Sequence, residues 1–240
     1  MDSLNKKITR REAVGMLGAA GAALVAGCGN GTPTSPTTTT SGATTSAGGT
    51  TAAACAVAPN ETIGPYPSLV DLIRSDIREG RSGTAVALTL TVVNVNSGCT
   101  PVADAVVDVW QCDAEGHYSQ YNQPGYNGTA QTFLRGIQAT DSRGQVTFTT
   151  IYPGWYAGRA THIHVEVSVN GRSVKVTQIA FPDTVNAEVY RSGVYAARGQ
   201  NPTSNTGDMV FADSLSSELA AVSGSPTGGY AATFTVGIAV

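Results

Sequence analysis

The 240 residues, 41% hydrophobic and only 13% charged, suffice for one sizeable core but hardly for two. A formal net charge of -3, with no lysine- or arginine-rich run after residue 30, leaves no electrostatic footprint for nucleic acid. The expected partner is a small molecule.

In chain order, residues 1–27 read as an export signal. Lys6, Lys7, Arg10 and Arg11 precede an apolar run from Ala13 to Gly27 that is too short to span a bilayer comfortably. Adjacent Arg10-Arg11 before a weakly hydrophobic run points to twin-arginine export, a route that carries folded, cofactor-loaded proteins. The run ends Val25-Ala26-Gly27-Cys28, which resembles a bacterial lipobox. Cys28 is therefore expected to be acylated and to tether the chain to the cell envelope. Residues 28–54 are nearly all Gly, Thr, Ser, Ala and Pro, a composition that buries too little apolar surface to offset ordering entropy. They are expected to form a disordered tether, with the folded domain at 55–240.

Within that domain, period-two alternation marks strands at Ala85 to Val93, Val106 to Trp110, Val146 to Thr149, Thr161 to Val167 and Val174 to Thr177. Turn signals separate them at Asn96-Ser97-Gly98, Ser142-Arg143-Gly144 and Asn170-Gly171, the last suited to a two-residue hairpin. Short helices are expected near 69–73, 185–190 and 214–222. The expected fold class is all-β, an antiparallel β-sandwich with short helices and long loops.

The chain holds three histidines, and two of them fall in Thr161-His162-Ile163-His164-Val165-Glu166-Val167. On a strand this segment puts His162, His164 and Glu166 on one face, so a metal could find two neighbouring imidazoles there. Taken alone, a His-x-His pair fits a solvated strand face equally well. The neighbourhood adds weight: Pro153-Gly154-Trp155-Tyr156 and Arg159 lead into this strand, Trp110-Gln111 and Gly116-His117-Tyr118 lie upstream, and Gly64-Pro65-Tyr66 lies earlier still. With those four blocks in that order, the sequence resembles the intradiol ring-cleavage dioxygenases, the family of protocatechuate and catechol dioxygenases, over most of residues 55–182.

The resemblance implies that Tyr118, Tyr156, His162 and His164 bind one ferric ion. It further implies that Arg159 and Gln178 stand beside the substrate, and that Tyr156 is the ligand a chelating catechol displaces. Tyrosine ionises near pH 10, so it serves as a ligand only to a strongly acidic cation such as iron(III). The implied reaction opens the ring of a catechol-type aromatic with O2 to give a muconate-type diacid. Catechol, hydroxyquinol, protocatechuate and lignin-derived relatives remain alternatives as substrate. Cytoplasmic catechol dioxygenases carry a helical dimerisation region where this chain has its signal and tether, so a dimer of that type is not expected. The rivals are a His-x-His cupin, for which no third downstream histidine exists, and a non-catalytic surface module binding metal or polysaccharide, with its tyrosines as stacking platforms. Trp110 is expected in the core, Trp155 in the pocket wall, His117 in solvent, and Glu166 either behind the metal or at the rim.

Of the four cysteines, Cys55 is expected to pair with Cys99 and Cys112 to remain a thiol, in keeping with an oxidising compartment. An extended strand across 103–111 would hold Cys99 and Cys112 roughly 30 Å apart, beyond disulfide reach.

Overall fold

A computed structural model describes residues 55–240. The signal and tether expected at 1–27 and 28–54, with Cys28, lie outside the described residues. Two sheets face one another. The first is built on β1 (Ala85–Asn94), which pairs antiparallel with β2 (Thr100–Pro101) and β7 (Gln145–Ile151) and parallel with β11 (Gly229–Ile238), itself paired to β10 (Ala221–Ser225). The second runs β6 (Arg135–Ala139), β3 (Val106–Trp110), β8 (His162–Val169), β9 (Arg172–Ala180), all antiparallel. A ribbon of β4 (Asn122–Gln123) and β5 (Tyr126–Asn127) lies in the loop after β3. The all-β sandwich is as expected, with the β1–β11 pair as its parallel exception.

The alternation read from the sequence sets the core. Val86, Leu88, Leu90 and Val92 of β1 and Phe148 of β7 turn inward to meet Val107 and Val109 of β3 and Ile163, Val165 and Val167 of β8. Asn170 and Gly171, both at positive φ (51° and 73°), make the tight turn that joins β8 to β9. Among the described residues one α-helix, α1 (Asp183–Val189), occupies the place of the expected second helix. The other two differ. Residues 69–73 form no helix, Ile73 instead bridging to Ile137, and 214–222 holds one 3-10 turn at Leu215–Ser217 before β10 begins.

Strand β8 is buried on both faces although only one faces the sandwich core. Its second face is covered by the segment leading from Cys55. Lys175 Nζ donates to Ala58 O and to Asn60 Oδ1, both at 2.6 Å, Glu61 N donates to Val176 O (2.9 Å), and Gln178 Nε2 donates to Thr62 O (2.9 Å). This N-terminal arm thus lies along β9 and reaches the histidines. Its far end is stapled by the expected Cys55–Cys99 disulfide, while Cys112 is a buried free thiol. Closing a loop of 44 residues removes chain entropy from the unfolded state worth about 4 kcal/mol in the simplest model. Replacing Cys55 and Cys99 together by serine is therefore expected to lower the melting temperature by at least several degrees; an unchanged melting curve would show that the arm is held by its hydrogen bonds alone.

Burial also sets a pH dependence. Glu218 is fully buried, Ser214 Oγ donates to its Oε2 (2.6 Å), and its carboxyl faces that of Glu61. That burial, with the negative charges of Glu61 and Asp213 nearby, pushes its carboxyl up to about 7. A raised carboxyl binds its proton more tightly folded than unfolded. Its effect is to erode stability as the pH rises from about 4.5 to about 7. Glu218→Gln should flatten that part of the stability curve in melting experiments, and an equal pH slope in both proteins would exclude Glu218 as its source.

Candidate metal centre

Each of the four expected donors comes from a segment whose local structure dictates its aim. His162 and His164 alternate with Thr161, Ile163 and Val165 on β8, so their rings leave the sheet on the face away from the core. Tyr118 follows the turn at Gly116, in the loop after β3, and Tyr156 follows the Pro153-Gly154 turn. The two tyrosine loops are docked on one another: Gly154 N donates to Asp113 O (3.0 Å), and a Cβ on Gly154 would lie 2.3 Å from that same oxygen. Only glycine permits this approach.

The result brings all four together. His162 Nε2 lies 3.4 Å from the Tyr118 hydroxyl, 3.4 Å from the Tyr156 hydroxyl and 3.2 Å from His164 Nε2. Donors bound about 2 Å from a common centre stand roughly 3 Å apart, so the set fits one ion. His162 Nδ1 donates to Ala160 O (2.7 Å), which fixes the tautomer that leaves the Nε2 lone pair facing its three neighbours. His164 stacks flat on Trp110, with ring centroids 4.9 Å apart, and its Nδ1 is buried without a partner. Only its Nε2 addresses the site. No cluster of three or more His, Cys, Asp or Glu suited to a metal occurs among the described residues. A metal here would therefore need the phenols as well as the imidazoles.

Electrostatics agrees with that need. Burial lowers the His162 imidazole to about 3, and burial together with the neighbouring His162 holds His164 well below its ordinary range, so both are neutral bases. Burial raises Tyr156 to about 12 and pushes Tyr118 well up. Two such phenols ionise only beside a cation of high charge.

Arg159 and Gln178 also arrive at the site. Arg159 Nη2 donates to Gln178 Oε1 (2.5 Å), and Nη1 lies 3.5 Å from the Tyr156 hydroxyl. Its Nε donates to Asp208 (2.9 Å), which is fully buried and also accepts from Ala160 N (2.6 Å) and Val210 N (2.8 Å). Asp208 was not legible in the sequence, because it sits in a loop without periodicity and reaches Arg159 only through the fold. Tyr66 stacks on Tyr118 at 4.7 Å and meets Tyr156 edge-on at 6.3 Å, making the wall expected of Trp155. Trp155 instead packs against the main core, its indole donating to Gly199 O with Arg198 over its ring. Trp110 is buried as expected, but beside Tyr118 and His164. His117 is only 24% exposed and stacks on Tyr126, and Glu166 is buried, not at the rim.

A family model described as "Dioxygenase" matches residues 67–200, more than half of the chain. The chain belongs to that dioxygenase family. Among curated members, catechol 1,2-dioxygenase of Candida albicans is 34% identical over 38% of this chain and 36% of its own length. The protocatechuate 3,4-dioxygenase beta chain of Burkholderia cepacia is 32% identical over 51% of this chain and 54% of its own. The chain thus spans about half or less of the curated relatives it matches. Among solved dioxygenase structures, an intradiol ring-cleavage dioxygenase from Tetranychus urticae superposes with a TM-score of 0.70 at 29% identity, covering 77% of this chain and 95% of that one.

One contact specific to the dioxygenase site is testable at once. Gly64 has φ +73°, and a Cβ placed there would lie 2.8 Å from His164 Cε1. Gly64→Val should push the arm off the imidazole and weaken metal retention roughly tenfold, the scale for loss of a supporting group; metal content equal to wild type would show that the arm yields without cost.

Proposed function

We propose that the chain is a non-haem iron(III) intradiol dioxygenase that opens the ring of a catechol-type aromatic between its two hydroxyl-bearing carbons. The observation that carries this reading is the gathering of two phenol oxygens and a second neutral imidazole within 3.4 Å of His162 Nε2. The donor set suits ferric iron, which when bound supplies the Lewis acidity that ionises both tyrosines and a chelating diol.

The rest falls to the chain's own groups. Tyr156 is the least buried of the four donors, so its phenolate oxygen is the one placed to take a proton from an entering diol and move aside. Tyr118, fully buried, keeps its place. Arg159, held by Asp208 and Gln178 with Nη1 turned toward the Tyr156 hydroxyl, stabilises negative charge as it develops on the substrate. Tyr66 and the arm keep water from the buried histidines. Ring and dioxygen together account for every atom of a muconate-type diacid.

We propose further that the domain sits at the cell envelope, tethered through an acylated Cys28. Support comes from the lipobox-like Val25-Ala26-Gly27-Cys28 and from the Cys55–Cys99 disulfide, which suits an oxidising compartment. The test of the site is metal analysis with a visible spectrum of the purified protein. One iron per chain with a tyrosinate charge-transfer band is expected, and a colourless protein after ferric loading would refute the ligand set.

A further inference from the structure

Beneath the metal donors lies a charged group with no role yet assigned. Arg135 opens β6, opposite Trp110 of β3, and is 1% exposed. Its guanidinium donates from Nε to Ser119 Oγ (2.9 Å), from Nη2 to Ser119 O (2.7 Å) and from Nη1 to Tyr66 O (2.9 Å). The charged carbon lies 5.8 Å from the centre of the Tyr118 ring and 5.5 Å from that of Tyr121. All three hydrogen bonds end on neutral oxygens. They satisfy the donors, and the nearby buried Asp108 carboxylate acts on the charge only through space.

We infer that Arg135 is the positioning residue of the Tyr118 phenolate, gripping the chain on both sides of that ring and supplying the buried positive charge that offsets the ligand's negative one. The inference rests on reading Tyr118 as a metal ligand. Two geometric facts carry it. Ser119 directly follows Tyr118, and Tyr66 is the residue whose ring stacks on Tyr118, so one planar head fixes both the ligand's backbone and the ring that covers it. Lysine, a point donor on a flexible stem, could not reach all three oxygens in their three directions. The Asp108 carboxylate, also buried, answers part of the Arg135 charge, and a phenolate at Tyr118 would add a second negative charge beside the same guanidinium. Arg159, the other cation at the site, is already matched by the Asp208 carboxylate.

The experiment loads wild type, Arg135→Met and Arg135→Lys with ferric ion. Three quantities are read: iron affinity by chelator competition, the wavelength of the tyrosinate band, and the melting temperature of the metal-free protein. In Arg135→Met the phenolate's filled orbital rises when the neighbouring charge is gone. The band should therefore move to longer wavelength, with iron held about 10- to 100-fold less tightly. In Arg135→Lys the charge remains and the fork is lost, so the band should stay near wild type while affinity falls by about tenfold. A purely architectural arginine would lower the melting temperature of Arg135→Met and leave band and affinity where they were, which overturns the inference. Should Arg135→Met not fold, a shifted band in Arg135→Lys overturns it equally. Wild-type protein that takes up no coloured iron would instead refute the ligand reading itself, so the two failures are distinct.

Discussion

Replacing His162 or His164 by alanine is expected to strip the protein of nearly all its iron. His162 Nε2 is the atom about which the other three donors gather, at 3.2 to 3.4 Å, and His164 has no other engagement for its Nε2. Loss of either imidazole should exceed the roughly 10- to 100-fold that loss of a mere supporting group costs in affinity. The phenols should behave differently from one another. Tyr118→Phe removes a fully buried oxygen and should weaken iron retention and alter the visible band. Tyr156→Phe removes the more exposed one, and should keep more metal than the histidine variants yet turn over slowly. Iron content, the visible spectrum and oxygen uptake of the four variants check this, with circular dichroism to confirm that each has folded. Full colour and activity in all four would show the constellation to be misassigned.

The second large effect is expected at Arg159. With its Nε on Asp208 and one Nη on Gln178, the guanidinium is held with Nη1 toward Tyr156, so it would meet a ring bound there without first having to be ordered. Tyr156 is the proposed metal donor that it hydrogen-bonds. Arg159→Ala should therefore leave iron bound and the protein coloured, with the Tyr156 part of the band moved to longer wavelength, while slowing the oxygen-dependent step by roughly two orders of magnitude, the scale of one lost charge-stabilising group. Stopped-flow mixing of the anaerobic substrate complex with dioxygen isolates that step. Loss of iron in Arg159→Ala would make the arginine a support for the site, and an unchanged rate would remove it from the chemistry.

The strands that frame the site were legible because they obey local rules. Alternation at Ala85 to Val93 and at Thr161 to Val167, and the Asn170-Gly171 turn, act within a few residues, and both histidines inherit their common aim from that periodicity. The neighbours that support the donors were not legible. Asp208 reaches Arg159 across 49 positions, Arg135 reaches Tyr66 across 69, and the parallel pairing of β1 with β11 joins the two ends of the domain. None leaves a local trace. Trp155 and Tyr66 show the same limit: the sequence offers two aromatics near the site, and only packing decides that Tyr66 covers Tyr118 while Trp155 turns to the core. The expected helix at 214–222 failed for a related reason. Ala221 and Val222 were drawn into pairing with Thr233 and Ala232, a partner strand that local propensity does not see.

The proposed reaction is tested most directly by giving the iron-loaded protein catechol or hydroxyquinol under labelled dioxygen and identifying the product. Iron(III) held by Tyr118 and Tyr156 would be a poor electron donor to dioxygen, which would leave the electron-rich ring of the diol as the group to be activated. The prediction is one dioxygen consumed per ring and a muconate-type diacid carrying both labelled atoms. A semialdehyde would mean cleavage outside the diol, and no uptake with any catechol would mean that the four donors belong to a binding module.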